Sequence, residues 1–367
     1  MINEINEIKE KIIKENYRIT KEEALALFNY PLEELAKAAN EIRLACAPKT
    51  TSVCSIISAR QGKCGENCKY CAQSAHWKTS CTSHPMIKPE DAIPQCKKAI
   101  ENRVSRLSLV TSGVGLKGRE FDQALECYKK IIRETEGKLL LCASHGIISY
   151  EQMVQLKEAG VVRYHHNVET SKNYFSKICT THTYQDRIET IKNAKKAGLE
   201  ICSGGIIGMG ETIEDRIDLA MTIRNLEVQS VPVNILNPIP GTPLENIEPI
   251  SKEDALKTIA IFRFVMPSQF IRCAAGRKSL GQNGRDAFLS GANALISGDF
   301  LTVEGSTNKE DLEMLEELGL EIEKSNINIQ AQKNVRRIHN KRPENFHRPE
   351  KQGIQKTFRL KIWRAKF

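Results

Sequence analysis

From about residue 50, short apolar runs alternate with stretches whose hydrophobic positions recur every three to four residues. Eight runs are candidate strands, at 52–59, 106–112, 138–144, 161–167, 199–207, 231–236, 270–275 and 292–297. Helical patterns between them include 89–102, 122–135, 150–159, 184–197 and 213–226. Ser149 followed by Gln152 has the spacing of a capping box, and Thr183 and Thr212 stand where N-caps belong. Gly160 and Gly198 close two helices in the same Ala-Gly step. Eight mostly apolar strands alternating with helices predict an α/β fold, a closed parallel (β/α)8 TIM barrel.

Residues 1–49 read as a helical extension over the outside of the barrel or its N-terminal mouth, with Thr20 and Glu23 as a second capping box. The barrel occupies 50–324, closing with a helix at 309–318, and the hydrophobic rhythm stops beyond about Ser325. The tail 325–367 is basic, weakly periodic and broken by Pro343 and Pro349, so it reads as disordered or as non-native sequence.

The tail changes the meaning of the formal charge of +9. From Lys333 to Phe367 there are twelve Lys or Arg against two acids, whereas residues 1–332 carry 42 basic and 43 acidic side chains. The body is close to neutral, which argues against nucleic acid as its partner. No apolar run approaches the ~20 residues of a membrane span. The acidic, helix-patterned start is unlike a secretory signal, and twelve cysteines then point to the reducing cytoplasm rather than to disulfides.

In such barrels the active site lies at the C-terminal ends of the strands, and unusual polar residues cluster there. The first strand runs into Cys64-Gly65-Glu66-Asn67-Cys68-Lys69-Tyr70-Cys71, a C-x3-C-x2-C spacing. A structural zinc site takes four ligands, whereas three crowded thiolates suit a cubane iron–sulfur cluster with one iron left open. The duller reading is a polar loop of reduced surface cysteines. The second strand carries Ser108, the third Cys142, the fifth Cys202, the sixth Asn234, and the seventh Arg272 and Cys273. The fourth ends in Tyr164-His165-His166-Asn167-Val168-Glu169, where Asn167 and Glu169 alternate onto one face, suited to the two hydroxyls of a ribose. His166 is either a satisfied core histidine or a group facing the mouth. Arg187 follows in the next helix, able to pair with a carboxylate. The run Gly204-Gly205-Ile206-Ile207-Gly208-Met209-Gly210-Glu211 lets backbone approach a flat ligand while Ile206 offers a purine an apolar face. Cys46, Cys54, Cys81, Cys96, Cys127 and Cys179 read as structural or incidental.

The cysteine spacing, with Tyr70 before the third thiol, resembles the cluster motif of radical S-adenosylmethionine enzymes. That resemblance implies that Cys64, Cys68 and Cys71 hold a 4Fe–4S cluster whose open iron is chelated by S-adenosyl-L-methionine. Tyr70, Asn167, Glu169, Arg187, Gly204, Ile206 and Gly208 would line the place of that cofactor. Together with Ala72-Gln73-Ser74, Cys202-Ser203-Gly204-Gly205-Ile206, Ser230-Val231-Pro232-Val233-Asn234 and Ala274-Ala275-Gly276-Arg277, the motif looks like the biotin synthase family over about residues 15–323. The resemblance implies sulfur insertion between two unactivated carbons of dethiobiotin, two deoxyadenosyl radicals each removing a hydrogen atom and an auxiliary cluster supplying sulfur. It also implies a biotin/thiamin-synthesis-associated region late in the barrel, a homodimer, and a flavodoxin- or ferredoxin-type electron donor. Asn234 would hold the substrate's ureido ring, with His165 beside it in place of the family's asparagine.

The family's 2Fe–2S auxiliary site uses three cysteines and an arginine. Cys142, Cys202 and Arg272 match, but the third cysteine position is Ser108, so the ligands or the cluster type differ and Cys273 stays open as a substitute. Two other readings remain: a hydrogenase-maturase-like radical enzyme on the same barrel, and a zinc- or nucleic-acid-binding protein with the cysteine loop as a knuckle.

Overall fold

The computed structural model describes residues 2–298, 301 and 305–323. Its strands are β1 (Ser52–Arg60), β2 (Arg106–Thr111), β3 (Leu140–Ser144), β4 (Arg163–His165), β5 (Glu200–Cys202), β6 (Gly205–Ile207), β7 (Ser230–Ile235), β8 (Phe270–Cys273) and β9 (Ala294–Ile296). They pair in the order β5-β4-β3-β2-β1-β9-β8-β7-β6, and β5 also pairs with β7, closing the sheet. All ladders between these strands are parallel. Against β7, Cys202 faces Ser230 and Gly205 faces Val233, so β5 and β6 keep one register. Nine segments therefore fill eight barrel positions, and the fifth strand expected from sequence is interrupted at Ser203-Gly204.

The helices Pro89–Glu101, Gly118–Glu134, Tyr150–Glu158, Tyr184–Lys196, Ile213–Asn225 and Asn308–Glu317 form where the 3.6-residue pattern put them, within a few residues. Thr20, Ser149, Thr183 and Thr212 each accept a backbone N–H three residues on, completing four capping boxes. Gly160 and Gly198 take φ of +93° and +77°, the left-handed conformation that ends a helix cheaply only at glycine. Three further helices escaped the pattern: Lys172–Ile178, Lys252–Val265 and Arg285–Leu289. Lys252–Val265 has a physical reason to escape, since the barrel packs on one side and the helix Leu32–Cys46 on another. It is buried around most of its circumference and lacks the polar face that gives an amphipathic rhythm.

Of the two placements expected for the N-terminal extension, the structure shows the outside of the barrel. Lys21–Ala26 lies on Ile213–Asn225, while Leu32–Cys46 lies on Lys252–Val265. The N-terminal end of the barrel is crossed instead by the segment after Asn308–Glu317. Thr51 N–H donates to Glu321 O at 2.7 Å, and Glu323 N–H to Thr51 O at 2.9 Å. Above this crossing sits a charged floor. Arg106 pairs with Glu200 at 3.3 Å and with Glu323 at 3.2 Å, and Arg163 pairs with Glu200 at 2.8 Å. Both arginines are buried. The expected tail lies outside the described residues. No described helix is long and apolar enough to cross a membrane.

Candidate active site

Beyond β1 the chain enters the three-cysteine loop, which is stitched to itself. Cys64 N–H donates to Gln73 O at 3.0 Å, Ala75 N–H to Cys64 O at 2.7 Å and Cys71 N–H to Cys68 O at 3.0 Å. Trp77 Nε1 donates to the Cys68 carbonyl at 3.0 Å. A second set ties the loop to the segment after Lys172–Ile178. Lys69 N–H donates to Ile178 O at 2.9 Å, Asn67 Nδ2 to Thr180 Oγ1 at 2.6 Å, and Thr180 N–H to Asn67 Oδ1 at 2.9 Å. Asn67 thus clamps the loop that holds the thiols.

Burial pushes the Cys71 thiol up to about 11, with Cys64, Glu169 and Cys81 pushing the same way. The Cys68 thiol is raised further, first by its hydrogen bond to Cys179 (Sγ–Sγ 3.7 Å) and then by burial. A metal centre bound here would supply the positive charge that lets such buried thiols ionise. Cys179, read from sequence as incidental, lies against Cys68 with the His182 ring 3.4 Å from its sulfur. No signal marked it, because the helix that delivers it carries no clear pattern.

One chain of hydrogen bonds joins this loop to β4 and the glycine run. His182 Nδ1 meets Glu66 Oε2 at 2.5 Å, and Arg187 Nε donates to His182 Nε2 at 3.0 Å. Arg187 Nη1 donates to Asn167 O at 2.9 Å and Glu169 Oε1 at 3.3 Å. Asn167 Nδ2 donates to Glu169 Oε2 at 3.3 Å, and its Oδ1 accepts Gly204 N–H at 3.1 Å. Gly204 O in turn accepts the N–H groups of Val168 and Glu169. Asn167 and Glu169, read from sequence as sharing one face, and Arg187, read as a separate group, therefore form one cluster, with Arg187 behind the other two.

The glycine run works differently from the sequence expectation. A Cβ on Gly204 would stand 1.9 Å from Pro232 O, and one on Gly205 would stand 2.4 Å from Glu169 O. Here the protein's own backbone takes the space that was reserved for a ligand. Ile206 does face the cavity, while Gly204 and Gly208 do not line it. Glu211 folds back to accept the N–H groups of Gly208 and Met209 at 2.8 and 2.7 Å, and Arg216 holds it at 2.7 Å.

The cavity measures about 360 Å³ and opens among the strands' C-terminal ends. Its upper wall includes Tyr70, Asn167, Glu169, Ile206 and Asn234, and its lower wall Cys54, Ser108, Cys142, Arg163, His165, Cys202 and Arg272. Asn234 Nδ2 donates to Gly205 O at 3.0 Å, and its Oδ1 accepts Ala275 N–H at 3.2 Å. An amide has two N–H donors and two oxygen lone pairs, so one of each stays open. His165 and Cys202 sit opposite each other in the β4–β5 ladder. Burial alone would push the Cys202 thiol up, but the charge and hydrogen bond of His165, then Arg272 and Arg163, outweigh it and bring it down to about 6. Burial likewise drives Cys142 up, to about 12, with Cys54 the next contributor in the same direction.

Two sequence expectations need correction. Cys273 cannot substitute for the missing third cysteine, because strand alternation turns it away from Arg272 and into the apolar layer under the helices. Cys54, set aside as incidental, lines the cavity.

Residues 59–223 match the Radical SAM superfamily, and residues 232–321 match the Biotin and Thiamin Synthesis associated domain. The chain is 50% identical over 319 residues to biotin synthase of Brachyspira hyodysenteriae, covering 87% of this chain and 95% of that one. It is 50% identical over 318 residues to biotin synthase of Clostridium perfringens, covering 87% and 99%. The chain belongs to the biotin synthase family.

The reaction of this biotin synthase family is a radical S-adenosylmethionine insertion of sulfur that converts dethiobiotin to biotin, the last step of biotin biosynthesis. It draws on a 4Fe–4S cluster, S-adenosyl-L-methionine and an auxiliary iron–sulfur cluster. Solved structures share the barrel: methylornithine synthase (PylB) at 19% identity and TM-score 0.71, covering 89% of this chain and 99% of that one, and the FeFe-hydrogenase maturase HydG from Carboxydothermus hydrogenoformans at 18% and 0.70, covering 87% and 79%. Those identities speak for the fold alone.

The family motif Ala274-Ala275-Gly276-Arg277 serves the site from behind. Ala275 N–H fixes the Asn234 amide, and Arg277 pairs with Asp311 at 2.7 Å with both side chains at most 2% exposed. Asp311→Ala is expected to cost about 3–5 kcal/mol, because it leaves a buried guanidinium uncompensated. Urea unfolding of the reconstituted protein checks this, and a loss under about 1 kcal/mol would refute it.

Proposed function

We propose that Cys64, Cys68 and Cys71 hold the 4Fe–4S cluster and that S-adenosyl-L-methionine lies beside it along Tyr70, Asn167, Glu169 and Ile206. Asn167 and Glu169 take the ribose hydroxyls. Arg187, whose hydrogen bonds run through Nε and Nη1, keeps Nη2 for the cofactor's carboxylate. Gly204 and Gly208 act through backbone shape. When bound, the cluster and cofactor supply the radical that acid–base side chains cannot generate. The chain's own part is to hold the parties in line and to exclude water.

Asn234 holds the ureido ring of dethiobiotin, with His165 beside it. A ureido group presents one carbonyl and N–H donors, matching the single donor and single acceptor that Asn234 keeps open. Asn234→Ala is expected to raise the KM for dethiobiotin about 10- to 100-fold, the range for losing two buried hydrogen bonds. Steady-state kinetics check it, and an unchanged KM would remove Asn234 from the substrate contacts.

The auxiliary cluster belongs on the lower wall, with Cys142, Cys202 and Arg272 around it. The protein works as a homodimer in the reducing cytoplasm, fed by an electron donor of the flavodoxin or ferredoxin type. Supporting this setting, all twelve cysteines are free. The near-neutral body supports a small-molecule substrate over nucleic acid.

The single observation that carries this reading is that Tyr70, from the three-cysteine loop, lines one cavity with Asn167 and Glu169. Anaerobic incubation with dethiobiotin, S-adenosyl-L-methionine and a strong reductant, read by mass, is expected to yield biotin. Deoxyadenosine without biotin would point to a different substrate.

A further inference from the structure

We propose that Cys54, Cys142 and Cys202 are the three thiolate ligands of the auxiliary iron–sulfur cluster, with Ser108 making no bond to iron and Arg163 donating a hydrogen bond to the cluster. The proposal rests on the family's use of such a cluster and assigns this chain's own residues to it.

The ladder places the donors. β1 pairs with β2 so that Cys54 faces Arg106 and Ile56 faces Ser108, while Ser108 faces Cys142 and Cys142 faces Arg163. Across the barrel, His165 faces Cys202. Side chains two apart share a face, and Cys54 and Ile56, Ser108 and Val110, Cys142 and Ser144, Arg163 and His165 all line the same cavity. Three thiols thus converge on one wall from β1, β3 and β5.

Chemistry then chooses among the groups. Iron–sulfur clusters are held by cysteine thiolates, and a serine hydroxyl gives up its proton far less readily than a thiol. Ser108 Oγ is buried with no hydrogen-bond partner, a donor left facing the cavity rather than one engaged in the fold. Arg163 gives the independent sign of a ligand. It is 3% exposed, and Glu200 takes its Nε at 3.0 Å and its Nη2 at 2.8 Å. Its Nη1 has no partner, on a side chain that lines this cavity. An unpaired buried guanidinium N–H is costly unless an acceptor arrives, and the sulfide of a cluster is one. Arg272 is engaged differently. Nε donates to Ser230 Oγ at 3.3 Å, Nη1 to Ser52 O at 3.1 Å and Leu295 O at 2.6 Å, and Nη2 to Ser52 Oγ at 3.0 Å. Those bonds fix it as a cationic neighbour of the thiolates.

The test is iron and acid-labile sulfide per chain, with Mössbauer spectra, after anaerobic reconstitution of the full chain. The wild type is expected to exceed the four irons of one cubane. Cys54→Ala and the near-isosteric Cys54→Ser should both fall to those four, keeping the loop-site spectrum, whereas Ser108→Ala keeps the wild-type iron. Arg163→Met should keep the iron and alter the quadrupole splitting of the auxiliary part. Iron beyond four in both Cys54 variants, or its loss in Ser108→Ala, would overturn the ligand set, and an unaltered auxiliary spectrum in Arg163→Met would remove the hydrogen bond. A wild type that never exceeds four irons would instead refute the auxiliary cluster itself.

Discussion

Replacing Cys68 by alanine is expected to abolish reductive cleavage of S-adenosyl-L-methionine. Cys68 is the most enclosed of the three loop thiols, at 7% exposure, with its own carbonyl fixed by the Trp77 indole. Two thiolates cannot present a cubane with one vacant position in the way three do. The neighbouring Cys179, 3.7 Å from the lost sulfur, complicates the iron count because it can retain metal in the single variant. The Cys68→Ala/Cys179→Ala pair removes that spare thiol. Deoxyadenosine measured after anaerobic reduction is expected to vanish in both proteins. Retained cleavage in the double variant would mean that the loop is not the cofactor's electron source.

Gly204→Ala is expected to be among the most damaging single-methyl changes in the barrel. Its Cβ would stand 1.9 Å from the Pro232 carbonyl oxygen, a backbone atom of the neighbouring strand that cannot swing aside. The cost belongs at or above the upper end of overpacking, about 3 kcal/mol or more. It also reaches the chemistry, because Gly204 N–H and O tie β5 to Asn167, Val168 and Glu169. Gly198→Ala is the internal contrast. It meets nothing within 4 Å and carries only the left-handed φ of +77°, worth about 1–2 kcal/mol. Thermal unfolding of the two variants should rank them in that order, and Gly204→Ala as stable as Gly198→Ala would mean that the β5–β7 contact gives way easily.

The barrel was legible because its strands and helices follow two clean periods and because caps such as Thr183 and Thr212 mark where helices begin. What escaped lacked a local signal. Lys252–Val265 is packed on too many sides to show a stripe, and Lys172–Ile178 is only two turns long. The cysteine loop and the Asn167–Glu169 pair could be read from spacing, since their partners are near in sequence. The lower wall could not. Whether Cys54 or Cys273 faces the cavity depends on strand register, and a shift of one residue reverses the answer. Arg163 was invisible for the same reason: its free N–H has meaning only once Glu200 is seen to occupy the rest of its guanidinium. The glycine run shows the converse error, in which a pattern that suits a bound purine is needed first by the protein's own carbonyls.

The crossing of the barrel's N-terminal end by Glu321–Glu323, with Arg106 and Arg163 ion-paired above it, makes the chamber a blind well. Among the described residues, the opening lies at the strands' C-terminal ends. Whatever settles lowest must arrive before the molecules that lodge nearer the opening, and it can be replaced only after they leave. With the sulfur source on the lower wall, as proposed above, its restocking would have to follow departure of product and spent nucleoside.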